Sequence, residues 1–357
     1  MTRTGFFTLC AATAVILAFT VYTVIRQPAV RAADSAGALL FPGLTERLNG
    51  LKSVAIRTGN GELTFDWDGK IWTSRERNGY PADSVKIAAL IVQMAQMTKI
   101  EPKTRSAEKY DRLDLEDPTK KDSHGKEVAL FDSGGKVLAD IIVGKRKFTL
   151  GSKEGGVYVR IPGDPQTWLA LGDLNPGLKP GDWLMREIAN IPDTAIRRVS
   201  VTHADGEKLV LEKSSPTDTA FKIANLPRGK QASSDYAGNE LGHVLSDLLL
   251  DDVAKAGSID FPREKTTVAE FDGFQGLHVV VETTESAGNT WLRIHATADA
   301  PSDSGADKSA VNDWSKTAAA ITARSTNWVY RVPSYEVSSL NKRMSDLVKK
   351  PEKGAKS

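Results

Sequence analysis

Reactive side chains are scarce in this chain. Among its 357 residues there is one cysteine, Cys10, and there are five histidines. Cys10 sits in an apolar N-terminal stretch, so the remainder holds no disulfide, no thiolate nucleophile and no sulfur ligand. His124, His203, His243, His278 and His295 never stand at metal-ligand spacing from one another, and no HExxH occurs. The G-x-S-x-G, Walker A and G-x-G-x-x-G patterns are also missing, which removes the nucleophile elbow, the P-loop and the dinucleotide fingerprint. Charge of one sign is lacking too: 47 basic residues face 45 acidic ones, a net of +2 that gives no argument for nucleic acid as partner. The sequence thus offers no catalytic, cofactor-binding or metal-binding residue, and we expect a protein that is not an enzyme.

What is present begins with Phe6 to Ile25, a run without a single charge. At about 1.5 Å per residue, roughly 20 residues cross the hydrocarbon core of a bilayer as a helix. A cleaved signal peptide is the other reading, with Val30-Arg31-Ala32 ahead of Ala33. Signal h-regions are shorter than this run, so the expectation is an uncleaved single-pass anchor in a bacterial inner membrane, the body in the periplasm. Lys349, Lys350 and Lys353 close the chain as a basic tail, read as disordered over residues 346–357.

Between anchor and tail the chain reads as one pattern written twice. Val54-Ala55-Ile56, the turn at Gly59-Asn60-Gly61 and Glu62 to Phe65 predict a hairpin, followed by Ile71-Trp72. Asp83 or Ser84 then caps a helix whose stripe is Ile87, Leu90, Ile91 and Met94. The second pass runs through Val199 to Val201, Asp205-Gly206-Glu207, Lys208 to Glu212 and Phe221. A second helix follows with Leu241, Val244, Leu245 and Leu248 at the same spacing. Further strand pairs follow each helix, Glu127 to Phe131 with Val137 to Val143 and Gly276 to Glu282 with Trp291 to Ala296. VYVRIP at Val157–Pro162 and WVYRVP at Trp328–Pro333 are taken as matching strands. The expectation is an α+β fold: a transmembrane helix, then two tandem units of antiparallel sheet with one main helix each. The bounds are 1–34 for anchor and linker, 35–195 and 196–345 for the units, with a short connecting helix from Asp182 to Ile191. Asp299 to Thr326 is an insertion, either a mobile loop or an added short helix.

Few residues invite a functional reading. Asp66 and Asp68 flank Trp67 and could act as paired carboxylates, although the adjacent Gly69 turn favours simple exposure. Asp303 to Asp307 lacks the ligand order of a calcium loop. Trp72, Trp183 and Trp328 lie at landmarks of the pattern and are assigned to the core. Trp314 stands in the polar insertion and is the first choice for a partner contact.

Trp72, Pro81-Ala82-Asp83, Tyr110…Leu113…Pro118, Leu138 to Gly144, Val157 to Arg160, Asp182-Trp183…Ile188 and Ile196 to Val199 occur in this order. Together they resemble the bacterial family catalogued as domain of unknown function 4340, over about Leu51 to Leu340. One departure is Asp111-Arg112, where the family tends to carry a glycine after the tyrosine. Members are often encoded beside ABC-transporter parts of the gliding-motility type. The resemblance implies a periplasmic accessory protein that binds a transporter assembly, and it supplies no catalytic residue. A cell-wall glycan-binding or glycan-processing protein is the alternative.

Overall fold

The computed structural model describes residues 37–148, 155–177, 179–299 and 314–351. The expected anchor, Phe6 to Ile25, lies outside them, as does Asp303 to Asp307. Among the described residues no helix is long and apolar enough to cross a membrane. Two compact units divide between Lys179 and Pro180, ahead of the boundary expected near Ile196.

The first unit is built on a nine-stranded, antiparallel sheet. Its strands are β1 (Leu51–Thr58), β2 (Gly61–Trp67), β3 (Trp72–Ser74), β4 (Tyr80–Pro81), β5 (Thr98–Pro102), β6 (Lys126–Asp132), β7 (Val137–Lys147), β8 (Gly156–Arg160) and β9 (Thr167–Leu171). Their spatial order is β4-β3-β2-β1-β6-β7-β8-β9-β5. Alternation sends Val54, Ile56, Phe65, Val128, Leu130, Ile141 and Val143 to one face, where all are buried. The Ser84–Gln96 helix buries Ile87, Leu90, Ile91 and Met94, the stripe read from the sequence. Asp83 caps it, accepting from the backbone N–H groups of Val85 and Lys86 at 3.1 and 3.2 Å. The lead-in pairs with the far edge: Gly37 N donates to Lys99 O, and Lys99 N donates to Ala38 O.

The second unit holds an eight-stranded sheet, also antiparallel. A short ribbon pairs β10 (Glu187–Ala189) with β15 (Leu248–Leu249), and another pairs β14 (Gln231–Ala232) with β21 (Val348–Lys349). The main strands are β11 (Ile196–Thr202), β12 (Lys208–Glu212), β13 (Lys222–Ile223), β16 (Asp252–Lys255), β17 (Thr267–Gly273), β18 (Leu277–Ser286), β19 (Asn289–Ala298) and β20 (Trp328–Val332). They lie in the order β13-β12-β11-β17-β18-β19-β20-β16. Matched to the first sheet, β11, β12 and β13 take the places of β1, β2 and β3. Strands β17, β18, β19, β20 and β16 take those of β6, β7, β8, β9 and β5. Register agrees as well, since the irregularity at Leu51/Ser53 recurs at Ile196/Arg198.

That match corrects the strand pairing expected from the sequence. WVYRVP forms β20, the counterpart of β9, whereas VYVRIP forms β8, the counterpart of β19. The true equivalent of Val157 to Ile161 is Thr290 to Ile294, in which Arg293 stands where Arg160 stands. The shared Arg and Pro of the two quoted phrases are a coincidence of β-rich sequence. On β20 itself Tyr330 and Val332 are buried, but so is Val329, while Trp328 is half-buried.

Three further expectations fail. The second helix shrinks to one turn, Asn239–Gly242; Val244 and Leu245 lie in the following turn and Leu248 on β15, although all four apolar residues are buried. Gly242 explains why, because a Cβ there would meet the Phe221 ring at 2.1 Å, so that ring stands where a regular helical side chain would go. The stretch from Asp182 to Ile191 carries β10 and only a short 3₁₀ turn, Pro180–Asp182, in place of a connecting helix. The tail is ordered as far as Lys349, through the Met344–Leu347 turn and β21. The longest helix of this unit, Trp314–Ser325, lies in the expected insertion. Its Thr322 hydroxyl donates to Ala296 O at 2.7 Å and accepts from Ala296 N at 3.0 Å, occupying backbone groups beyond the reach of β20.

Candidate functional site

Opposite its buried face, the first sheet exposes a shallow groove of about 440 Å³ over β1, β2 and β6. Register lays this face out in three rows across the strands. The first row reads Glu62, Arg57, Glu127, Ile142 and the third reads Asp66, Ser53, Phe131, Val137. Between them runs a row of small residues, Thr64, Ala55 and Ala129, that ends on Asp140 of β7. These short side chains are buried, because the long ones on either side close over them, the Arg57 guanidinium lying 5.8 Å from the centroid of the Phe131 ring.

The neighbouring strands are covered instead. The connection from β5 to β6 lays Tyr110, Leu113 and Leu115 against Ile142 and Tyr158. It comes so close to β7 that a Cβ on Gly144 would stand 2.0 Å from the carbonyl oxygen of Leu113. Arg160 fixes this cover, donating from Nε to Leu115 O at 3.1 Å with its guanidinium 4.7 Å from the Tyr110 ring centroid. In the second unit Arg293 stands 4.7 Å from the Phe261 ring in the equivalent place.

Electrostatics in the groove is mostly internal pairing. Arg57 reaches Glu127 at 2.8 Å and Glu62 at 3.2 Å, and Arg75 grips both carboxylate oxygens of Asp66 at 2.7 and 2.9 Å. Asp140 differs. Burial, the adjacent Glu127 charge and a hydrogen bond to Glu127 outweigh Arg57 and push its pKa up to about 7. Its Oδ1 is buried without a hydrogen-bond partner.

The residues singled out from the sequence do not assemble into a site. Asp66 is held by Arg75, whereas Asp68 closes its own turn, its Oδ1 accepting from Lys70 N and Ile71 N, which hold its pKa below the ordinary value. Trp314 opens its helix and is only 8% exposed, so it is not the exposed aromatic expected of a partner contact. Trp72 and Trp183 are buried as assigned. His278 bonds Asp272 at 2.7 Å, His203 is buried against Lys342 O, and His295 and His124 are exposed. His243 lies 3.8 Å from Asp193, whose carboxylate is also bonded by the buried Lys213 at 2.8 Å. Burial works against the Asp193 charge, yet Lys213 and His243 outweigh it and hold the pKa below the usual range. Among the described residues no group of three or more His, Cys, Asp or Glu could hold a metal. The sequence reading missed Arg57, Glu127 and Asp140, although Asp140 stands as one anion inside the run Leu138 to Val143.

The family model for domain of unknown function 4340 matches residues 72–271. The chain belongs to this family. The matched span starts at β3 and ends within β17, so it takes in Arg75, Glu127, Phe131 and Asp140 and leaves out Arg57, Glu62 and Asp66. No curated protein and no solved structure matches the chain.

Proposed function

We propose that this member of the domain of unknown function 4340 family is a non-enzymatic accessory protein. It is held to the bacterial inner membrane by Phe6 to Ile25, with its body in the periplasm, where it binds an ABC-transporter-type assembly. The sheets are read as a duplicated unit, of which the first has kept an open face for the partner. The observation that carries the reading is the groove itself. Its arginines are bound to carboxylates rather than arranged around a reactive atom, a surface suited to another polypeptide. The run of uncharged residues from Phe6 to Ile25 supports the location, and the partner class rests on what the resemblance noted in the sequence implies.

Affinity capture from detergent-solubilised membranes tests this. Transporter subunits are expected to be recovered with the full chain and lost with the double reversal Arg57→Glu/Arg75→Glu, provided circular dichroism shows that the variant folds. Saturable binding to purified peptidoglycan, with no transporter subunits recovered, would overturn the reading in favour of a glycan-binding protein.

A further inference from the structure

We propose that the end of the β7–β8 hairpin is a membrane contact: Lys145, Arg146 and Lys147 meet anionic phospholipid headgroups, and Phe148 enters the interface above the acyl chains. This rests on the anchored location proposed above and names the part of the body that touches the bilayer.

Pairing sets the hairpin apart. Strand β6 begins at Lys126, opposite Val143, so β7 runs on from Gly144 to Lys147 paired with β8 alone. Phe148 follows and is 71% exposed, an apolar ring left in water at the end of a strand. The Arg146 guanidinium lies 4.8 Å from its centroid. An exposed ring among cations is the combination that binds an anionic bilayer, the ring through buried apolar area and the cations through phosphate.

Charge is in excess here. Lys145 pairs with Asp114 at 3.3 Å and Arg146 pairs with Asp173. Behind them Lys126 donates to the neutral Asn175 Oδ1 at 2.9 Å, and among the described residues no carboxylate pairs with Lys126 or Lys147. Burial lowers the pKa of Lys126; Asp114 opposes this shift and Arg146 adds to it. Four cations thus stand against two carboxylates. Exposed ion pairs of this kind are weak, so Lys145 and Arg146 exchange a carboxylate for lipid phosphate at little cost. The second unit has no such arm. Register puts Glu285 where Lys145 stands, its Oε1 accepting from the Thr290 hydroxyl, and Ala287 and Gly288 close that hairpin at once.

The place of the hairpin agrees with its chemistry. One row of pairing runs from Lys147 through Gly156, Leu171 and Thr98 to Leu39 of the lead-in. Hairpin end and lead-in therefore lie at the same end of the sheet, about 19 Å apart at one strand spacing per step. Fully extended, the residues between Ile25 and Gly37 span at most about 40 Å. A bilayer that holds Phe6 to Ile25 is within that reach of Phe148.

The full chain carrying Phe148→Trp, in vesicles whose lipids are brominated high on the acyl chains, tests this. The added tryptophan emission, taken over that of the native chain, is expected to be quenched in phosphatidylglycerol vesicles and to be at least about twofold less quenched in phosphatidylcholine or in about 0.5 M salt. Adding Lys145→Gln/Lys147→Gln, which leaves the Arg146 pair intact, should reduce the quenching in the anionic vesicles as well. Absence of quenching in anionic vesicles from which alkaline carbonate does not extract the chain would overturn the contact and leave the anchor standing. Equal quenching in the two lipids would overturn the assignment to anionic headgroups. Quenching of a chain that carbonate does extract would uphold the hairpin contact and overturn the anchor instead.

Discussion

The two sheets share a strand order but treat equivalent places differently. Where the first unit sets Trp67 against Trp72 with ring centroids 5.5 Å apart, the second sets Lys213 over the Phe221 ring at 4.4 Å, its side chain 1% exposed and bonded to Asp193. Where the first lets the covering connection touch bare backbone at Gly144, the second places Thr284, whose hydroxyl donates to Lys265 O at 3.3 Å. Where the first ends its middle row on Asp140, the second ends it on Val280. Topology is thus maintained by alternation and register, while the chemistry at each landmark is free to change. A cation–π contact, a hydroxyl bridge and a buried carboxyl can each be exchanged for an apolar or backbone contact if the strand order is already specified.

The comparison can be broken most severely at Leu245, which is fully buried beside the shortened helix. Leu245→Ala is expected to cost about 2–5 kcal/mol in the second unit, read from the midpoint of urea unfolding. A loss below about 1 kcal/mol would show that the turn repacks freely. Gly144→Thr writes the second unit's residue into the first. With Leu113 O only 2.0 Å from the new Cβ, the connection must move, and a loss of about 1–3 kcal/mol is expected. The reciprocal Thr284→Gly should cost less than that in the same unfolding assay.

Asp140→Asn sharpens the contrast with Val280 through pH. Asp140 has its pKa raised from 3.8 to about 7 in the folded chain, so folding takes up a proton between these values. The group is neutral in both states below the lower value, and above the higher one the folded chain must bear a half-buried charge. Stability therefore falls as pH rises through this window. Asn abolishes that penalty: discounted for partial exposure, a gain of about 1–2 kcal/mol is expected above pH 7 and none near pH 4, measured by urea unfolding at both. A gain that is the same at both pH values would rule out titration as its cause. The smallest effect is expected at Asp83, where removing the cap in Asp83→Ala should cost about 1 kcal/mol. The one-turn helix Asn239–Gly242 has no side-chain cap at Gly238, so Gly238 offers no such loss.

How much of this could be read beforehand differs by element. The first hairpin, the capped helix and the β18–β19 hairpin were legible because turn residues and periodicity agree; Ala287 and Gly288 both take positive φ, as a two-residue hairpin loop requires. The second helix was misread because an i, i+3, i+4, i+7 stripe also describes one helical turn, a buried loop and the start of a strand. Gly238 and Gly242, both crowded against Leu211 or Phe221, were the signal against a long helix. Trp314 was misplaced because the polar composition of the insertion does not show that the short helix allowed there packs on β19 and buries its first residue. The groove was illegible for another reason. Arg57 and Glu127 lie far apart in sequence and meet only through the pairing of β1 with β6, which no local pattern specifies.

The lead-in to the first sheet has a mechanical meaning. Gly37, Ala38 and Leu40 hold β5 and its neighbour through three backbone bonds, to Lys99 twice and then to Met97, taken in antiparallel order. Tension arriving from the N-terminal side meets these bonds one after another, the Gly37 bond first, rather than all at once. Peeling the segment away breaks these three bonds in turn, and the buried Leu40 and Leu44 must then leave the core before β1 is disturbed.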